Sequence, residues 1–502
     1  MTPKRIISIA FFGSLGALIL SAIGWHEPIV QTIVFAIILG ATLVCSLVDI
    51  RYGFIIAGAE LAIGSQGYIF SLGGPEQGMS VRIGIWVIIM AVWAGRKLIS
   101  LMRRETSIRK IFSIPFAWPL LALAVSLGIS VVVALLYGND PAFVFLEAKR
   151  WLYGLILLPF LQAFRTRDDM KLFLSGFAGA VGALAVTTIG LTYLFSHDFA
   201  PFMFDVYTWL RDTLLAEITP GPSGFSRIFA QSQVYLVPAC LVGGAWAVER
   251  YAAGRKKAAI LILSASAVCV TALVASLSRS LWIGTAVAGI VGMLLSAIYG
   301  RPRWKDIGRS VLMWLAGLAM AVLVLGLAVR FPFPQPLGQA GLSVLAERAN
   351  SSEAAAASRW SLLPVMANQI LVSPIWGNGL GKTLTYMTSD PRITRTTVNG
   401  EYTTYAFEWG WLDVAMKSGL LGLAAYFWLL WSIGVSGFRL IRYHYLAGIS
   451  VFMGVIAIAA VHFFTPYLNH PLGFMYLAIL VAVTQAFAPP VVTASGDRVA
   501  KT

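Results

Sequence analysis

From Ala258 to Tyr299 the chain runs 42 residues on Ala, Leu, Ile, Val, Gly and a few hydroxyls, with one charge, Arg279. As a single α-helix that run would extend about 63 Å, twice the roughly 30 Å of a bilayer's hydrocarbon core. It has to be a hairpin of two spans, and "ASLSRSLWIG" (275–284) turns it at Ser278-Arg279-Ser280. Arg279 then sits at a membrane face and not at the bilayer centre, where a guanidinium is costly. Apolar stretches of about one span recur along all 502 residues. They are long and unbroken and lack the period-two alternation of barrel strands. Charged residues make up 12% against 58% hydrophobic, about half the charge of a soluble domain. The chain reads as an all-α, polytopic integral membrane protein.

The expected spans are roughly 6–23, 29–48, 53–72, 79–98, 114–136, 151–164, 172–195, 228–248, 258–277, 281–299, 311–329, 411–435, 446–464 and 471–488. About 14 transmembrane helices place both termini on one side. That side carries Lys4, Arg5, Arg51 and the basic clusters at 96–110, 165–171, 250–257 and 301–309, most of the 37 Lys and Arg. The positive-inside rule makes it cytoplasmic. The net charge of +15 is then a topology signal and an attraction to anionic lipid, with no nucleic-acid partner implied. The domain expectation is helices 1–11 over 1–329, a large periplasmic loop at 330–410, helices 12–14 over 411–488 and a cytoplasmic tail at 489–502. No cleavable signal peptide is expected. Cys45, Cys240 and Cys269 fall in apolar spans and offer no disulfide framework, and the five His have no paired-ligand spacing, so no metal site is expected. Glu60 inside the third span reads either as a packed, hydrogen-bonded or protonated acid or as part of a cytoplasmic-side polar cluster.

Two outward segments break the membrane pattern. Near 197–226, Phe202, Met203, Val206, Tyr207, Leu210 and Leu214 recur at helical spacing against Asp205, Arg211 and Asp212, the pattern of an interfacial amphipathic helix. In the 330–410 loop, "SSEAAAASRWSLLPVMANQILVSP" predicts a helix capped at Ser351 or Ser352, kinked at Pro364 and ended at Ser373-Pro374. "IWGNGLGKT" then follows. A Walker A loop needs Gly where Trp376 stands, so a nucleotide site is rejected, and the glycines are expected to reverse the chain beside the membrane surface.

The outer face gathers Lys149, Arg150, Arg211, Arg227, Arg279, Arg348, Arg359, Arg392 and Arg395, with Glu147, Asp205, Glu217, Glu401, Glu408 and Asp413. A guanidinium binds phosphate oxygens in bidentate fashion and stays charged. Several at a membrane lip beside a carboxylate suit a lipid diphosphate that departs while a hydroxyl loses its proton. The plainer readings are that Arg279 anchors the interface by snorkelling and that Trp360, Trp409 and Trp411 are interfacial-belt residues; aromatic faces also stack on sugars.

The array resembles the O-antigen ligase/polymerase superfamily of bacterial surface polysaccharide assembly. Four stretches carry the resemblance: "GFSRIFAQSQVYLVPACL" (224–241), "SLSRSLWIG" (276–284), "SRWSLLPVMANQILVSPIWGNGLG" (358–381) and "EWGWLDVAMKSGLLGLAAY" (408–426). It implies a glycosyltransferase without metal or other cofactor in the bacterial inner membrane, its active face periplasmic. The donor would be an undecaprenyl-diphosphate-linked glycan. The family's diphosphate-binding arginines carry over to Arg227, Arg279 and Arg359, with Arg150 in reserve. Counting back from Gly419, the place of the family's ligase histidine is held by Glu408 and that of its Asn by Trp409. This departure favours a polymerase, with Glu408 as base and Asp413 or Glu401 as alternatives. Arg279 and Arg359 then stabilise the leaving diphosphate, and Trp360, Trp409, Trp411, Asp413 and Glu401 are the sugar-binding candidates. The bilayer and a chain-length regulator are the further expected partners. The alternatives are an O-antigen ligase and a non-enzymatic lipid or glycan transporter, which predicts charges spread through the midplane.

Overall fold

The computed structural model describes residues 2–73, 78–220, 226–299, 304–337, 354–388, 394 and 400–489. The chain is a helical membrane bundle. Its first helices are α1 (Pro3–His26), α2 (Pro28–Val48), α3 (Ile50–Ile63), α4 (Val81–Met102) and the single turn α5 (Ile108–Ile111). Next come α6 (Ala117–Leu136), α7 (Pro141–Leu152), α8 (Leu157–Ala163) and α9 (Arg167–Phe195). The short helix α10 (Phe202–Asp212) precedes α11 (Leu236–Ala252), α12 (Lys256–Ala275), α13 (Arg279–Tyr299) and α14 (Trp304–Arg330). Last are α15 (Ala354–Val372), α16 (Gly410–Leu440), α17 (Tyr445–Phe464) and α18 (Pro471–Phe487).

Among the described residues, 10 helices are long and apolar enough to cross a membrane: α1, α2, α4, α6, α9, α12, α13, α14, α16 and α17. The other four expected spans fall on shorter pieces. These are the 14-residue α3, the pair α7–α8 broken by a 3-10 turn at Tyr153–Ile156, and the 17-residue α11 and α18.

The core is aromatic where α3, α8, α9 and α11 meet. Phe54, Phe160 and Phe173 pack edge-on at 5.0–5.2 Å, and Phe177 meets Tyr235 at 4.9 Å. The 258–299 run breaks at 276–278 as the length argument requires. Its two halves then part company. α12 packs against α11, while α13 lies along α17, with Gly284 against Ala457 and Val461 and Gly292 against Met453. Glycines let backbones close where lipid supplies no hydrophobic drive between helices.

Polar contacts gather at the two ends of the bundle. At the end where α1 begins, Arg51 pairs with Asp49 and Asp169, and Arg96 donates to the carbonyls of Ser46 and Leu47. The hydrogen bond from Arg51 holds the Asp49 carboxyl below its ordinary range. At the opposite end α10 lies across the tip of α1. Trp209 donates to Ser21 Oγ at 3.1 Å and Trp25 to Asp212 at 3.3 Å, while Phe202 and Phe204 stay exposed. That is the arrangement of an interfacial helix. Two features at this end lie outside the all-helical expectation for the loops. The antiparallel hairpin β3–β4 (Glu217–Pro220, Ser226–Phe229) follows α10, and β5–β6 (Leu384–Met387, Glu401–Thr404) follows α15. A further pair, β1–β2 (Ser71–Leu72, Met79–Ser80), precedes α4.

Glu60 is settled in favour of a paired, packed acid. Both its oxygens accept from Arg82 at 2.9 and 3.0 Å. Arg82 belongs to the first turn of α4, at the bundle end opposite the start of α1, so this pair stands apart from the contacts of Arg51 and Arg96.

Candidate functional site

The turn between α12 and α13 is tight. Leu277 is held at φ +46, in the left-handed region that a branched residue enters only at a cost, and Trp282 closes the turn by donating to Leu273 O at 2.9 Å. Arg279 opens α13, half-buried, at the positive end of the helix dipole. Arg227, on β4, reaches the same turn: its Nε donates to Ser276 O at 3.2 Å and its guanidinium lies 4.6 Å over the Phe229 ring. The alternation of β4 turns Ser226 and Ile228 inward and leaves Arg227 on the other face. Arg227 and Arg279 therefore share one turn.

Arg359, on α15, pairs with Glu408 just before α16. Trp409, buried, donates to Arg359 O at 3.0 Å and meets Trp360 at 5.4 Å. Trp360 is 58% exposed and available to a ligand. Trp411 points into the helix layer, donating to Ala459 O at 3.1 Å and packing on His462 at 4.5 Å. Glu401 is exposed on β6 opposite Met387, whose carbonyl accepts from Ser361, two residues past Arg359. Arg348, Arg392 and Arg395 lie outside the described residues.

Asp413 and Glu147 belong to a buried ionic centre. Lys417, 4% exposed, is held by Glu147, by Asp413 at 2.6 Å and by Tyr405 O at 2.8 Å. Asn469 donates to the other Asp413 oxygen at 2.7 Å, and Glu147 accepts the Gly381 N–H at 2.6 Å. The glycine-rich turn is thus packed inside the protein and tied to this centre. Residues 377–381 are buried between α6, α7 and α16, with Asn378 N donating to Met416 O at 2.7 Å and Gly379 N to Lys417 O at 3.0 Å. Gly377, Gly379, Gly381 and Gly419 all have positive φ, and Gly419 kinks α16 where the strands of backbone cross. A Cβ at Gly379 would run into the Ala134 backbone. Gly379→Ala is expected to cost about 1–3 kcal/mol through overpacking and left-handed strain, read as a lower unfolding temperature of the purified chain.

The connector between α17 and α18 joins these groups, and it is the feature the sequence argument did not reach. Phe463 and Phe464 pack on Trp409, and Thr465 donates to Ser280 Oγ at 3.0 Å. Tyr467 lies close enough to Arg227 and Glu217 for their charges to act on it, and burial raises its phenol above the ordinary value. Asn469 binds Asp413. His470 accepts from Leu472 N through Nδ1, and burial, Arg82 and Arg150 push its imidazole well below the usual value, so it is neutral at pH 7. Arg150 lies near enough to Asp413 and His470 for its charge to act on both. The connector's polar residues in "TPYLNH" between two apolar runs were the available signal.

Fold and site define a polytopic α-helical membrane protein with a charged, aromatic-rimmed site at one end of its bundle. Residues 264–427 match the family model described as O-antigen ligase, which supports the resemblance carried by the motifs at 276–284, 358–381 and 408–426. The segment includes Arg279, Arg359, Glu408, Asp413 and Lys417, and leaves out Arg150, Arg227 and the connector. Comparison with curated proteins gives no match.

Proposed function

We propose that this protein is a glycosyltransferase that polymerises polyprenyl-diphosphate-linked oligosaccharide repeats at the periplasmic face of a bacterial inner membrane. The observation that carries the reading is that Arg227 hydrogen-bonds the 276–280 turn that holds Arg279, and that the connector joins this turn to the Arg359–Glu408 pair. The acceptor's hydroxyl attacks the anomeric carbon of the donor glycan, and the bond from that carbon to the diphosphate oxygen breaks with its electrons on the diphosphate. Arg227 and Arg279 meet that charge where it develops. Arg359 turns from Glu408 to the diphosphate, which frees the carboxylate to take the hydroxyl's proton. Trp360 offers an exposed ring to the sugar. The basic loops at the opposite end support a cytoplasmic position for the termini.

The test is to incubate the purified protein with lipid-linked repeat units and resolve the products by gel. Chains of increasing length are expected, and Glu408→Gln should lower their rate of formation about 100-fold while donor binding stays. Unextended repeats from the wild-type protein would sink the polymerase reading. The ligase reading is favoured by the description of the matched family. It predicts no extension, but transfer of preformed glycan to a second acceptor.

A further inference from the structure

We infer that the Tyr467 hydroxyl is a third donor to the donor lipid's diphosphate, beside Arg227 and the start of α13; the inference rests on the diphosphate reading above. Tyr467 is 3% exposed, and its hydroxyl oxygen is buried with no hydrogen-bond partner among the described residues. Neighbouring buried tyrosines show how this layer otherwise treats such a group. Tyr426 donates to Leu468 O at 2.8 Å, Tyr235 to Leu472 O at 2.9 Å and Tyr476 to Gly454 O at 3.1 Å. A buried hydroxyl without a partner is a standing cost that Phe in the same place would avoid.

Position supplies the partner. Tyr467 opens the 3-10 turn Tyr467–Asn469, and its N–H donates to Thr465 O at 2.8 Å. Thr465 is bound to Ser280, and Ser276 of the same α12–α13 turn is bound by Arg227. On the other side of the turn, Asn469 is bound to Asp413. The tyrosine is therefore fixed between the arginine-bearing turn and the buried ionic centre, within reach of the charges of Arg227 and Glu217. An anionic oxygen held by Arg227 and the α13 terminus is the acceptor such a phenol lacks. A donor of this kind adds no charge of its own and so strengthens the hold on a diphosphate by geometry.

The experiment uses the full chain in detergent with undecaprenyl diphosphate as probe, and measures both dissociation constant and unfolding temperature for wild type, Tyr467→Phe and Arg227→Ala. Tyr467→Phe is expected to unfold at the wild-type temperature or above, because no protein hydrogen bond is lost, and to bind the probe about tenfold or more weakly. Wild-type affinity in Tyr467→Phe alongside weakened Arg227→Ala would overturn the role of Tyr467 and leave the diphosphate site standing. A fall in unfolding temperature in Tyr467→Phe would show that the hydroxyl has a structural partner, and would also overturn it. A wild-type protein that does not bind the probe would remove the diphosphate reading itself, and this inference with it.

Discussion

Arg279→Ala is expected to stop polymer formation and leave single lipid-linked repeats, with turnover down about 100- to 1,000-fold, the loss that follows removal of one preorganised donor to a developing charge. The size of the effect comes from position. Arg279 opens a 21-residue helix, so its side chain stands at the positive end of the helix dipole. Ser278 and Ser280 hydroxyls lie 3.2 Å apart in the same turn, and Thr465 ties Ser280 to the connector, so the terminus is held and does not fray. Arg227 reaches the turn from β4 and supplies a second guanidinium, anchored through its Nε to Ser276 O. Arg279→Lys keeps the charge but loses the planar fork, and should fall between wild type and Ala. The measurement is a time course of product length from purified donor at fixed enzyme concentration. Full-length polymer at the wild-type rate from Arg279→Ala would end the diphosphate role and return this residue to an interfacial anchor.

The sequence made the hairpin legible because length alone forces it: no single helix of 42 residues fits the hydrocarbon core. It did not show that α13 would leave α12 for α17, because that choice is written in Gly284 and Gly292 and in partners some 160 residues away. The helix α10 was legible from its spacing, while the β-hairpins beside it were not, being four-residue strands without a long alternating run. At the site, the Arg359–Glu408 pair and the meeting of Arg227 with the 276–280 turn join residues that charge and motif had singled out. The connector and the buried centre stayed hidden for a different reason. Lys417 lies in an apolar span and its partner Glu147 is 270 residues away, so nothing local shows that the charge is compensated. The i, i+4 spacing of Asp413 and Lys417 was the one local hint. The glycines of 377–381 announce a chain reversal, but sequence gives conformational freedom and not the helix backbones that pack against it.

Lys417→Met should be the most damaging single change to the folded state, costing about 3–5 kcal/mol, because it strands two carboxylates that Lys417 bridges. Glu147 and Asp413 are 5% and 3% exposed, so water does not replace the lost cation. The damage also travels. Glu147 holds Gly381, Asn378 and Gly379 hold the carbonyls of Met416 and Lys417, and Ser130 donates to Lys417 O at 2.8 Å. Loosening this crossing frees α15 from α16, the two helices whose ends carry Arg359 and Glu408. Removing charge from both sides discriminates ion pairing from simple packing. Lys417→Met combined with Glu147→Gln leaves one carboxylate, Asp413, which keeps its bond from Asn469, so the pair should recover part of the loss. The measurement is thermal unfolding of the three full-length proteins in detergent. A double variant less stable than Lys417→Met alone, or a single variant that unfolds with the wild type, would mean that the centre holds the glycine turn by shape and not by charge.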